Sequence, residues 1–71
     1  MTPADRLKAA RQATGLSQAD FGLALGYQHG NRYHTRVQVN DMEQGRRPVS
    51  PMVQRLSEMF RRFGVPQDFL A

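Results

Sequence analysis

The feature that most constrains this chain is a glycine that closes each of four short segments with helical apolar spacing. The glycines are Gly15, Gly26, Gly45 and Gly64. Each segment also opens on a residue that favours helix N-caps, and these are Thr2, Ser17, Thr35 and Ser50. Proline follows the first and last of these caps, at the first helical position. The sequence therefore predicts four short helices, with a short fifth over the tail from Pro66 to Ala71.

The apolar stripes of these helices predict the core. They comprise Leu7, Ala10 and Ala13, then Phe21, Ala24 and Leu25, then Val39 and Met42, and finally Met52, Val53, Leu56, Met59, Phe60 and Phe63. The stretch from Gln28 to His34 has no apolar period and contains a Gly-Asn turn signal, so we expect a loop there. A competing arrangement has Asn31 capping a longer third helix that begins near Arg32.

Length and composition limit the possible functions. Seventy-one residues form one domain at most, spanning residues 1–71, and without cysteine neither a disulfide nor a thiolate zinc site can stabilise it. No apolar run is long enough for a membrane span or a signal peptide, so we expect a cytoplasmic protein without membrane contact. Ten basic residues, nine of them Arg, outweigh six acidic ones. Arg suits phosphates and guanine edges, so nucleic acid is a candidate partner.

Two sequence patterns carry a family resemblance. The run from Leu16 to Gly26, LSQADFGLALG, and the run from Thr35 to Pro48, TRVQVNDMEQGRRP, resemble the two halves of the helix-turn-helix in Cro/CI-type (Xre) regulators. The small Gly22 stands where two steeply crossing helices touch, and Gly26 stands at the turn. Seven residues, Gln28 to His34, separate the halves where ordinary members have almost none. The resemblance implies an all-α, lambda-repressor-like DNA-binding domain.

The resemblance also implies which side chains read DNA. The third helix would lie in the major groove of double-stranded DNA. With Val39 and Met42 facing the core, the candidates for base contacts are Arg36, Val37, Gln38, Asn40 and Asp41. Arg36 suits guanine, Val37 a thymine methyl and Asn40 adenine. Asp41 would accept from a cytosine amine or orient Arg36.

Contacts to the DNA backbone are expected on both sides of that helix. The candidates are Gln18, Arg32, Tyr33, Thr35, Arg46 and Arg47. By resemblance to lambdoid repressors, Arg11 and Glu43 would form a structural ion pair between the first and third helices. His29 and His34 lack Cys or acidic partners, so we expect no metal and no cofactor. We find no nucleophile with a base and an orienting group, so we expect no enzyme.

The predicted function is that of a small transcriptional repressor that regulates its own operon. Its type would be that of phages or mobile elements, for example the anti-CRISPR-associated autoregulators. The alternative is an antitoxin-like protein-interaction module of a toxin–antitoxin pair. We also expect a homodimer on an inverted-repeat operator, because one such domain contacts too few base pairs to select a site. The surface predicted for this dimer consists of Phe63, Val65, Phe69 and Leu70.

Overall fold

A computed structural model describes residues 1–27 and 31–70 and contains helices without any strand over those two ranges. The elements in chain order are α1 (Pro3–Thr14), α2 (Gln18–Ala24), α3 (Arg32–Glu43), α4 (Pro51–Phe63) and a final 3₁₀ turn (Gln67–Leu70). The predicted all-α fold of four to five short helices is confirmed. None of the described helices is long and apolar enough to cross a membrane.

Three of the four predicted N-caps are confirmed. The Thr2 hydroxyl accepts from the Asp5 N–H at 3.1 Å, and the Asp5 carboxylate accepts from the Thr2 N–H in return. Ser17 caps α2 through a 3.1 Å bond from a backbone N–H, and Ser50 caps α4 through a similar bond of 3.2 Å. Each cap satisfies a backbone N–H that has no partner within its helix.

The predicted start of α3 is wrong. Asn31 is the N-cap, since its side-chain oxygen accepts from the His34 N–H at 3.0 Å, and the helix begins at Arg32. Thr35 lies inside the helix, only 5% exposed, with its methyl group against Gly22. The β-branched side chain of Thr35 is buried at the contact between α2 and α3 and is therefore unavailable as a cap. The N-cap lies one turn earlier, at Asn31. The competing arrangement, with Asn31 as cap, is therefore correct.

The expected loop from Gln28 to His34 must accordingly be divided. Residues 28–30 lie outside the described residues, whereas Asn31 to His34 are the N-cap and first turn of α3. The described part of this stretch therefore lengthens α3 at its N-terminal end.

The core lies between two pairs of helices, with α1 packed on α4 and α2 packed on α3. Its buried members are Leu7, Ala10, Phe21, Ala24, Val39, Met42, Val53 and Phe60. The rings of Phe21 and Phe60 meet edge to face with centroids 6.0 Å apart, which joins α2 to α4. The core therefore places α3 by contacts on one side only and leaves its other side exposed.

The stripe predicted for α4 is too wide. Val53 and Phe60 are buried as expected, whereas Met52, Met59 and Phe63 are 78%, 56% and 78% exposed. Those three stand seven and four residues apart, so they share the face of α4 that points away from α1. A helix packed mainly against one neighbour buries a single narrow row of side chains. Ala13 of α1, also predicted to face inward, is exposed as well.

Most of the surface predicted for a dimer closes the monomer instead. Val65 and Leu70 pack against the core, and the Phe69 ring meets Phe60 edge to face at 6.0 Å. Of the four predicted side chains, Phe63 is 78% exposed and Phe69 is 43% exposed, whereas Val65 and Leu70 are half-buried. The tail therefore covers the end of the core, because a chain this short has few other apolar side chains to do so.

Candidate nucleic-acid interface

The outward side of α3 carries a row of polar side chains over three helical turns. At about 100° per residue, positions 32, 33, 36, 37, 40 and 41 lie within one half of the helix circumference, and the buried positions 35, 39 and 42 lie in the other half. Arg32, Tyr33 and Arg36 are exposed, and Val37 and Asn40 are half-buried. We call the side chains of Arg32, Tyr33, Arg36, Val37, Asn40 and Asp41 the α3 row.

The α3 row contains four of the five predicted base-contact residues. Gln38, the fifth, is half-buried and lies on the flank of α3, about 200° around the helix from Arg36. It therefore faces a different direction from Arg36 and Asn40. The structure brings Arg36, Val37, Asn40 and Asp41 together and does not bring Gln38 to them.

An ion pair beneath the α3 row joins α3 to α1. Arg11 Nε donates to Glu43 Oε2 at 2.7 Å, and Arg11 Nη2 donates to Glu43 Oε1 at 3.2 Å. The Glu43 side chain is 1% exposed, so this pair is largely withdrawn from solvent. Arg11 also donates to the Leu16 carbonyl at 3.2 Å. This two-pronged geometry fixes α3 relative to α1 and to the start of α2.

Gln18 extends this network to the α3 row. Its side-chain Nε2 donates to Asn40 Oδ1 and to Glu43 Oε1, both at 3.1 Å. The Asn40 oxygen therefore faces Gln18, and the Asn40 NH₂ group is the part of that side chain turned away from it. A buried carboxylate thus determines, through Gln18, which end of the Asn40 amide faces outward.

The end of α3 is tied to the basic turn that follows it. Asp41 Oδ1 accepts from Arg46 Nε at 3.0 Å, and the Asp41 carbonyl accepts from the backbone N–H groups of Arg46 and Arg47. The expectation that Asp41 orients Arg36 is therefore wrong. Arg46 follows Asp41 by five positions, and the turn at Gly45, with φ of 80°, brings the two side chains together. Arg47 is exposed beside them.

The N-terminal turn of α3 has two contacts of its own. Arg32 forms an ion pair with Asp20 of α2 at 2.8 Å, and the Arg36 guanidinium lies over the Tyr33 ring with Cζ 5.3 Å from the centroid. Thr35, predicted to contact the DNA backbone, is buried against α2 and does not reach the outer surface. Sequence reasoning missed both contacts, because they require the helix to begin at Arg32.

Away from the α3 row, the described part of the chain holds an exposed charged cluster on α4 but no set of ligands for a metal. Among residues 1–27 and 31–70, no group of three or more His, Cys, Asp or Glu side chains could hold a metal ion, and His29 falls outside these ranges. On α4, hydrogen bonds from Arg61 and then Arg62 lower the pKa of Glu58 from its ordinary 4.5 to about 2. This charged cluster is exposed and lies on a different helix from the α3 row.

The sequence model of a family described as a helix-turn-helix domain matches residues 4–70. The chain therefore belongs to the helix-turn-helix domain family, and the resemblance to Cro/CI-type regulators is confirmed. It is a DNA-binding domain of the kind found in transcription regulators. Neither the curated proteins nor the solved structures contain a significant match to it.

Proposed function

We propose that this protein is a sequence-specific transcriptional repressor that inserts α3 into the major groove of double-stranded DNA. The α3 row carries the proposal, because an exposed arginine, an amide and an apolar side chain lie side by side on one helix face. The ion pair between Arg11 and Glu43 holds that face rigid from below. A rigid helix that presents mixed donors and apolar groups is suited to base edges.

Four members of the α3 row have a proposed partner on the bases. The Arg36 fork fits the O6 and N7 atoms of guanine, and Val37 packs against a thymine methyl. Asn40 presents its NH₂ group and therefore donates to an acceptor such as adenine N7 or thymine O4. Asp41 has a second carboxylate oxygen beyond its bond to Arg46, and this oxygen accepts from a cytosine amine.

Phosphate contacts flank the α3 row at both ends. Arg32 is at its N-terminal end, Arg46 and Arg47 lie in the turn beyond its C-terminal end, and Gln18 lies beside Asn40 between them. Charges at both ends would hold the helix in register along the groove without reading sequence.

The test begins with selection of binding sequences from randomised duplexes, followed by titration of the enriched duplex and of a scrambled one. We expect Arg36→Ala to weaken binding to the enriched duplex about 10- to 100-fold and to lose preference at one base pair. Lys8 is an exposed basic residue on α1, and Lys8→Ala is the matched control, which should change the affinity for the duplex little. Failure of the unaltered protein to enrich any sequence would refute the proposal.

We further propose that the repressor binds its operator as a homodimer through the exposed face of α4. Met52, Met59 and Phe63 form this face, which shares Phe63 with the surface predicted from the sequence. Three side chains of this size cover on the order of 400 Å², about half of the roughly 800 Å² per partner in a stable interface. The pairing should therefore be weak in free solution and should form on an inverted repeat.

Sedimentation can test this pairing. We expect a monomer at micromolar concentration without DNA, and two copies on an inverted repeat whose half-sites lie about one helical turn apart. Phe63→Ser should abolish cooperative filling of the two half-sites and leave binding to an isolated half-site unchanged, which serves as the control. Unchanged cooperativity in Phe63→Ser would exclude this face.

In this proposal the protein represses its own operon. Small regulators of phages and mobile elements, including anti-CRISPR-associated ones, act in this way. A reporter fused to the DNA upstream of the gene should be repressed by the intact protein and released by Arg36→Ala.

The exposed α4 face also favours a second candidate, an antitoxin-like module that binds a protein. That candidate predicts no enriched DNA sequence and no repression of the reporter.

A further inference from the structure

Tyr33 and Arg36 form a pair at the N-terminal turn of α3. Tyr33 belongs to the segment that separates the two halves of the motif, and Arg36 is the first residue after Thr35. The guanidinium carbon of Arg36 lies 5.3 Å from the centre of the Tyr33 ring. A cation within about 6 Å of an aromatic centroid is attracted by the electron density of the ring face.

The turn that carries Tyr33 is anchored at both sides. Asn31 caps it through the 3.0 Å bond to the His34 N–H, and Arg32 connects it to Asp20 of α2 at 2.8 Å. Tyrosine has only two side-chain torsions, whereas arginine loses more rotamer freedom when it is held. The ring is therefore the stiffer partner, and Arg36 is the side chain whose motion the contact limits.

The neighbouring carboxylates do not compete for Arg36. Asp20 is bonded to Arg32, and Asp41 is bonded to Arg46. Within the described part of the chain, Arg36 has neither an ion pair nor a hydrogen bond through its side chain. This ring contact bonds none of the Arg36 N–H donors to an oxygen acceptor, so they are available to a base. An ion pair would have occupied those same donors.

We propose that Tyr33 is a positioning residue that holds the Arg36 fork in the orientation in which it reads guanine. This inference rests on the proposed function, since it assigns a task to a residue beside the same reading surface. The segment between the two halves of the motif then contributes to specificity through Arg36. This role differs from a direct phosphate contact by the Tyr33 hydroxyl, which the sequence alone suggested.

The test compares Tyr33→Leu with Tyr33→Phe on the duplex enriched by the unaltered protein. Leucine keeps bulk and helix propensity but has no ring, whereas phenylalanine keeps the ring and loses only the hydroxyl. We expect Tyr33→Leu to weaken binding to the enriched duplex about two- to five-fold. The Arg36→Ala variant identifies the base pair that Arg36 reads. Tyr33→Leu should not weaken binding to a duplex in which that base pair is changed. Tyr33→Phe should bind both duplexes as the unaltered protein does.

Two results would overturn the inference. Equal weakening of Tyr33→Leu and Tyr33→Phe would assign the effect to the hydroxyl, and equal weakening on both duplexes would assign it to the DNA backbone. In both cases the unaltered protein still enriches a sequence, so the proposed function survives. If the unaltered protein enriches none, the proposed function fails and this role for Tyr33 fails with it.

A measurement without DNA provides the second readout. The Tyr33 ring current should shift the Arg36 Hδ and Hε resonances of the free protein upfield. We expect that shift to persist in Tyr33→Phe and to vanish in Tyr33→Leu. Arg36 resonances that are identical in the two variants would show that the ring does not hold the guanidinium before DNA binds, which contradicts the proposal.

Discussion

Gly22 of α2 and Thr35 of α3 meet so closely that there is no room for a side chain at position 22. A Cβ atom built on Gly22 would clash with Thr35 Cγ2 and would lie 2.9 Å from Val39 Cγ2. We expect Gly22→Ala to lower the free energy of unfolding by about 1–3 kcal/mol through overpacking. The cost of overpacking should exceed the gain of nearly 1 kcal/mol that the better helix propensity of alanine provides. Urea denaturation measures the difference.

A double-mutant cycle identifies the cause of that loss. Thr35→Ser removes the methyl group that faces Gly22 and leaves a hydroxyl in place. We expect Gly22→Ala to cost less in the Thr35→Ser background than in the unaltered chain. An equal cost in both backgrounds would mean that the two residues do not press on each other.

Arg11→Met should be among the most destabilising single substitutions. It keeps the length of the side chain but leaves the Glu43 carboxylate buried without its partner. Removing one member of a buried pair costs about 3–5 kcal/mol, whereas replacing both members by apolar residues is often close to neutral. We therefore expect Arg11→Met/Glu43→Met to recover much of the stability that Arg11→Met loses, as measured by urea denaturation. A double variant less stable than Arg11→Met would contradict this account.

Asn31→Ala tests where α3 begins. Loss of the capping oxygen should lower stability by about 1 kcal/mol and speed hydrogen exchange at the His34 amide. Asn31→Asp keeps a capping oxygen and should retain both properties. If Asn31→Ala exchanges no faster at His34, the first turn of α3 does not depend on this cap.

Arg46→Ala and Arg47→Ala should weaken specific and non-specific DNA binding alike. Each change removes one charge from the turn beyond α3, so each should reduce the slope of log affinity against log salt by roughly one unit. Titrations between low and moderate salt measure that slope. Lys8→Ala on α1 is the control and should leave the slope unchanged, because Lys8 lies outside both the proposed DNA contacts and the proposed dimer face.

Glu58 should titrate far below an ordinary glutamate. Its pKa of about 2 in the folded chain lies below the ordinary 4.5, so its contribution to stability is fully present above pH 4.5. That contribution is lost as the pH falls from 4.5 towards 2. Carboxyl carbon chemical shifts should show the low midpoint, and Arg61→Ala should raise it. High salt should also raise it, because the cluster is exposed. A midpoint near 4.5 at low salt would contradict this expectation.

Local rules predicted most of the fold correctly. Thr2, Ser17 and Ser50 cap helices because a side-chain oxygen satisfies a nearby N–H whatever the rest of the chain does. Thr35 has the same chemistry and the same kind of position in the sequence, yet it is buried inside α3. Its place depends on a contact with Gly22, and no local pattern reports such a contact.

The candidate site was predictable in part for a related reason. The period of α3 determined that Arg36 and Asn40 share one side, since Val39 and Met42 had to face the core. The partners of Gln18, Asp41 and Arg32 depend on how α2 and the basic turn pack beside α3. The predicted buried face of α4 was too wide for a similar reason, because the number of helices that pack against α4 depends on the whole fold.

The two faces of α3 are under different evolutionary constraints. Thr35, Val39 and Met42 are constrained by packing, so drift at these positions is limited by stability. Arg36 and Val37 are not constrained in that way, and a lineage could exchange them to follow a changed operator while keeping its fold. Asn40 is the exception, because its bond to Gln18 would link the base contact that we propose for it to a residue on another helix. New DNA preferences that involve Asn40 would therefore require paired substitutions.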